Sequence, residues 1–77
     1  MTNSALDRAW KIAGSKAALA KLAGVKPPVI QQWLKGERPI PPARCVLIEK
    51  GTGGAVTRQE LRPDDWLQLW PELNKAA

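Results

Sequence analysis

A glycine followed three and four residues later by two prolines, Gly24, Pro27 and Pro28, restricts residues 16–35 (KAALAKLAGVKPPVIQQWLK) more than any other feature of this chain. Proline lacks a backbone N–H and has a fixed φ, so Pro27 and Pro28 are accommodated best in the first turn of a helix, where those N–H groups have no partner anyway. Glycine just past a helix end takes the left-handed conformation at low cost. The stretch therefore reads as two short helices joined by a tight turn at Gly24. On the first of them Ala17, Ala20, Ala23 and Gly24 form a small-residue edge that lets the second helix cross closely.

The second helix has two unlike sides. With Ile30 as origin and about 100° per residue, Pro27, Leu34 and Trp33 fall within roughly 60° of it and Val29 lies on the flank. Gln31, Lys35, Pro28 and Gln32 fill the opposite sector, from about 100° to about 200°. The second sector carries two amides and an ammonium, with no acidic residue. Such a helix packs through Ile30, Trp33 and Leu34 and offers Pro28, Gln31, Gln32 and Lys35 outward. A helix-turn-helix requires that division, because its second helix buries one side and pushes hydrogen-bonding side chains into the major groove with the other.

Ala20, Gly24-Val25, Ile30 and Trp33 reproduce the spacing of the phage repressor and Cro helix-turn-helix. More narrowly, PPVIQQW, IPPARCVLIEKGTGG and LRPDDW together resemble the YdaS-type family of Cro-like prophage regulators over roughly residues 14–71. The resemblance implies an all-α, lambda-repressor-like domain of five short helices around a central helix-turn-helix. It also implies a repressor-like regulator of a prophage or related operon, working at the bacterial nucleoid. One position departs from the family: a small hydroxyl residue usually precedes Pro27, and here Lys26 stands there. A side-chain acceptor at a helix start is worth on the order of 0.5 to 2 kcal/mol, and lysine supplies none.

Charge is distributed unevenly along the 77 residues. Residues 1–50 carry nine Lys and Arg against three acids, whereas from residue 51 onward three basic residues meet four acidic ones. The basic half is the half with the paired helices, and that coincidence favours a phosphate-binding surface over lysines that merely solvate helix faces. A single cysteine excludes an internal disulfide, and with no histidine the chain cannot assemble a soft-ligand zinc site. Both facts fit a reducing, cytoplasmic setting. No apolar run approaches the roughly 18 residues needed to span a bilayer, and the alanine-rich start is interrupted by Gly14 and Gly24, which argues against a membrane-surface helix.

Taken in order, one domain is expected over 1–77, with the helix-turn-helix at 16–35 and a tail at 72–77. Ser4 is an N-cap candidate for a first helix over 5–13, with Asp7 in its first turn and an inner stripe of Leu6, Ala9, Trp10 and Ala13. Ser15 caps the next helix, over 16–23. Gly36 closes the third, and Glu37 to Pro42 form a loop stiffened by three prolines. A fourth helix runs from 41 or 42 to Lys50, with Gly51 as its C-terminal cap and Cys45 as a small buried hydrophobe. The loop 51–54 lacks the Lys-Ser/Thr of a nucleotide cradle. Ala55 and Val56 are extended, compatible with a fragment of strand. Thr57 and Glu60 match a capping box, Pro63 stops that turn, and Asp64 and Asp65 open a last helix in which Trp66 and Trp70 cover the core or contact a second copy. Residues 74–77 are expected to fray.

Catalysis has little to work with, since no histidine is available as a base and the one adjacent pair of acids has a structural explanation. The leading expectation is sequence-specific binding of double-stranded DNA, with no cofactor and no metal. Pro28, Gln31 and Gln32 face base edges, Gln32 foremost, since glutamine can pair bidentately with adenine and proline can touch a thymine methyl. Lys16, Lys26, Lys35 and Arg38 neutralise phosphates, Lys16 at the helix start where this fold meets the DNA backbone. One module reads few base pairs, so a homodimer on a pseudo-palindrome is expected. The second class of function is a protein-binding module, an antitoxin that binds a co-encoded toxin through the Trp66 and Trp70 side; the family resemblance brings this reading with it.

Overall fold

The computed structural model describes residues 4–73. It is all-α, in the order α1 Ser4–Ala13, α2 Lys16–Ala23, α3 Pro27–Leu34, α4 Pro42–Gly51, α5 Arg58–Leu61 and α6 Trp66–Leu69, followed by a 3₁₀ turn at Pro71–Leu73. Six α-helices are present among the described residues, one more than the five that the resemblance implies, and Pro63 separates α5 from α6 as its place in the sequence predicts. The expected fraying of 74–77 lies outside the described residues.

Each helix end has a local cause. The Ser15 hydroxyl accepts from the Ala18 N–H at 3.0 Å and starts α2. Gly24 ends it at φ 74°, and the Val25 N–H reaches back to the Ala20 carbonyl at 2.9 Å, which satisfies carbonyls at the helix end. The turn between α2 and α3 is closed by those bonds. At the start of α3 Lys26 makes no side-chain cap, and the two prolines occupy the first turn.

α1, α2, α3 and α4 pack around Leu6, Leu19, Ile30, Cys45 and Ile48, all fully buried, together with Val56 from the following loop. Ala20 and Ala23 are buried at the crossing, and Trp33 and Leu34 turn inward as the periodicity predicts. Two members of the predicted apolar surfaces do not. Pro27, one turn before the core-facing residues of α3, lies beyond the edge of the core and is exposed, and so is Ala17 on α2. Trp10 is a rim residue, half-buried against the core.

The C-terminal third departs further from its local signals. Gly51 is the last residue of α4 and serves a close approach: a Cβ there would overlap the Leu22 side chain. Thr52 is buried and does the capping, its hydroxyl donating to the Ile48 carbonyl at 2.9 Å and accepting from the Val56 N–H at 3.2 Å. That second bond fixes Val56 in a bend, so no strand forms among the described residues. The capping box is present, with the Glu60 N–H bonded to Thr57 Oγ1 at 3.3 Å and the Thr57 N–H to Glu60 Oε1 at 3.2 Å. Asp65 makes no cap for α6; its carboxylate is taken by a forked pair with the Arg62 guanidinium, which also donates to the Ile40 carbonyl and ties the 35–41 loop to the α5–α6 turn. Trp70 packs on the core and lies under the Arg58 guanidinium, 5.5 Å from its ring centroid.

Candidate nucleic-acid interface

α3 presents an outer row of Pro28, Gln31 and Lys35, all exposed, with Gln32 half-buried beside them. Lys26 is exposed just before the helix, and Lys35 just after it donates its backbone N–H to the Gln31 carbonyl at 3.0 Å. Gln31 is the more exposed of the two amides, although angular position places Gln32 further from the core side; the Gln32 carbonyl accepts from the Glu37 N–H at 3.0 Å where the chain leaves α3.

Gln31 and Lys35 line a cleft of about 400 Å³ together with Lys16 from the start of α2, Leu34, and Ser4 and Asp7 from the start of α1. Three of the seven residues singled out in the sequence are thereby brought together from two helices. Arg38 is not among them. It is exposed on the 35–41 loop and lines a second groove of about 510 Å³ whose charged walls include Glu60, Arg62, Asp64 and Asp65.

The ion pairs sort the cations into two populations. Arg8 pairs with Glu60 at 2.6 Å, Lys11 with Asp7 at 2.9 Å, Arg58 with Glu49 at 2.8 Å, and Arg62 with Asp65. No ion pair among the described residues engages Lys16, Lys21, Lys26, Lys35, Arg38, Arg44 or Lys50, and residues 16–35 contain no acid that could provide one. Placement compounds this. A cation is disfavoured near a helix N-terminus, where the backbone carries partial positive charge, yet Lys16 opens α2 and Lys26 immediately precedes α3. Two helix starts each reinforced by an ammonium make a surface suited to an anion.

The carboxyls titrate accordingly. Asp7 lies below the usual range because the Lys11 ammonium and then the Trp10 indole hydrogen-bond to it; Arg8 does the same for Glu60 and Arg62 for Asp65. Burial pushes the Cys45 thiol up to about 11, which leaves it a neutral, inert core group near pH 7.

Two contributors gave no local sequence signal. Arg44 donates to the Ala23 carbonyl at 3.2 Å from 21 residues away, so a charge that sequence counts toward the basic surface caps α2 instead. Trp10 lies beneath the Lys16 ammonium, 5.4 Å from the ring centroid. Only packing α1 across the start of α2 makes that contact.

A small-residue helix, a glycine turn and a second helix with a buried apolar side and an outward amide-and-lysine side define the helix-turn-helix class. Residues 6–69 match the family model described as "Bacterial toxin YdaS". The chain is also 46% identical over 68 residues to a protein of Escherichia coli (strain K12) named "Putative transcriptional regulator YdaS", a match covering 87% of this chain and 69% of that one. The chain belongs to the YdaS family. The family description says toxin where the sequence resemblance suggested antitoxin, and the relative's name says regulator.

Proposed function

We propose that the chain is a transcriptional regulator that binds a short operator in double-stranded DNA with α3 in the major groove. The observation that carries this is the sorting of charge: all four lysines of residues 16–35 are left outside the ion pairs, whereas Arg8, Lys11, Arg58 and Arg62 are matched with acids. Lys16 and Lys35 contact phosphate from either side of the cleft, Lys26 extends the row at the start of α3, and Arg38 adds a contact from the loop. Pro28, Gln31 and Gln32 meet base edges. The name of the Escherichia coli relative supports the same reading. A dimer on a pseudo-palindrome with half-sites about one helical turn apart supplies the specificity that one module lacks. Selection of bound duplexes from a random pool at fixed salt tests the proposal. A recurrent short motif is expected; recovery of unselected sequence would leave only non-specific binding.

A second reading, a protein-binding role, is favoured by α6, where Leu67 is 47% and Leu69 37% exposed. The two are compatible, because α6 and α3 are separate elements.

A further inference from the structure

Lys16 is held, although its position on α2 is electrostatically poor. Its ammonium lies over the Trp10 ring, 5.4 Å from the centroid. That ring is itself fixed: the indole Nε1–H donates to Asp7 Oδ1 at 3.0 Å, and Asp7 Oδ2 pairs with Lys11 at 2.9 Å. Lys11 also approaches the ring, at 5.9 Å, but its charge is answered by Asp7. The nearby carboxylate is therefore hydrogen-bonded to the indole and to Lys11 and acts on Lys16 only through its field, without an ion pair, so the contact Lys16 makes is with the π face.

The difference matters for an anion site. A carboxylate partner would cancel the lysine charge and have to be displaced by a phosphate, whereas an aromatic face attracts the ammonium through its quadrupole and leaves the charge intact. A carboxylate on the indole N–H makes the ring a better acceptor of a cation. Ordering the lysine beforehand also removes part of the rotamer entropy that binding would otherwise cost.

We propose that Trp10 is a positioning residue: it presets Lys16 at the mouth of the cleft that Gln31 and Lys35 share, and so raises DNA affinity without touching DNA. This rests on the DNA-binding reading above. Wild type, Trp10→Leu, Lys16→Ala and the double variant are titrated with a labelled random-sequence duplex over a range of salt. Trp10→Leu is expected to weaken binding about twofold to tenfold, the range set by the rotamer freedom that one lysine would otherwise lose on binding. Lys16→Ala is expected to weaken it at least as much and to flatten the salt slope by about one. The double variant is then no weaker than Lys16→Ala alone, because the ring acts only through that lysine. Losses that add would overturn the positioning role and leave Trp10 purely structural. Trp10→Phe keeps a π face but gives up the indole bond to Asp7, and is expected to bind between wild type and Trp10→Leu; a loss for Phe as large as that for Leu counts against the proposal. A readout independent of DNA is the upfield ring-current shift of the Lys16 ε-methylene, expected in wild type and Trp10→Phe. Its absence from the wild type overturns the contact even if Trp10→Leu does not fold. If the wild type binds no duplex, the DNA-binding reading and this one fall together; if it binds and the losses add, only this one falls.

Discussion

The Arg44 guanidinium donates to the Ala23 carbonyl at 3.2 Å, and its Nη1 lies 3.0 Å from where a Cβ on Gly24 would stand. One side chain of α4 therefore both satisfies a carbonyl at the end of α2 and fills the space behind the turn that aims α3. Arg44→Met is expected to lower unfolding free energy by about 1 to 2 kcal/mol, since a partly buried acceptor loses a charged donor. Gly24→Ala adds the strain of a left-handed backbone to a crowded contact and is expected to cost about 1 to 3 kcal/mol. Urea denaturation measures both; unchanged midpoints would show that the turn stands without them.

Gln32→Ala and Gln31→Ala should separate from Lys35→Ala in what they read. Loss of a base-pairing amide is expected to cost roughly 1 to 3 kcal/mol on the operator and little on random duplex, whereas losing the lysine weakens both and flattens the salt slope by about one. The more exposed Gln31 is expected to show at least as large an effect as Gln32. Equal losses on operator and random DNA for a glutamine variant would remove it from base reading.

Lys26 sets stability against charge. Lys26→Ser supplies the side-chain acceptor that α3 lacks and is expected to stabilise the fold by about 0.5 to 2 kcal/mol. The same change removes an ammonium from the start of α3, so DNA binding should weaken and its salt slope fall by up to one unit. Calorimetry and binding titrations on one preparation check the opposed signs; a variant that gains both stability and affinity would contradict the phosphate role of Lys26.

Gly51 and Leu22 are coupled by contact, because a methyl group at 51 would occupy the Leu22 side chain. Gly51→Ala is expected to destabilise by about 1 to 3 kcal/mol through overpacking. In a Leu22→Ala background the added methyl has room, so the two changes should cost less together than separately. Strict additivity of the unfolding free energies would place the strain elsewhere.

Acid should loosen the domain in a defined direction. Asp7, Glu60 and Asp65 all titrate lower in the folded chain than the ordinary carboxyl values of about 4 that hold when it is unfolded. The folded state thus binds fewer protons across that interval. Stability is complete above about pH 5 and declines as pH falls through the lowered folded values. The Arg8–Glu60 and Lys11–Asp7 pairs are largely open to solvent and Arg62–Asp65 is half-buried, so the decline should be shallow and smaller in high salt. Thermal melts between neutral pH and pH 3 provide the check, and a melting temperature that rose on acidification would reverse the assignment.

Local rules carried the first half of the chain. Ser15, Gly24, Pro27 and Pro28 act on their own backbone within three or four residues, and Ile30, Trp33 and Leu34 recur at helical spacing, so the helix-turn-helix and its inward side were legible in residue order. Of the candidate site, Lys16, Gln31 and Lys35 meet because that motif fixes the crossing of its helices, while Arg38 is placed elsewhere by the loop; the capping box at Thr57 and Glu60 is likewise a local device.

What sequence alone determined is therefore the boundaries of the helix-turn-helix, the all-α class and the outward row of Pro28, Gln31 and Lys35, since each depends on neighbours a few residues away. Only the tertiary structure decided how each charge is used. Arg44 and Lys16 look alike as basic residues, but Arg44 falls on the Ala23 carbonyl and Lys16 on the Trp10 ring. It also decided that Arg38 borders a groove with acidic walls, that Gly51 yields space to Leu22, and that Thr52 holds Val56 in a bend. Those outcomes depend on which elements are brought together in space, and no periodicity within one helix records its partner.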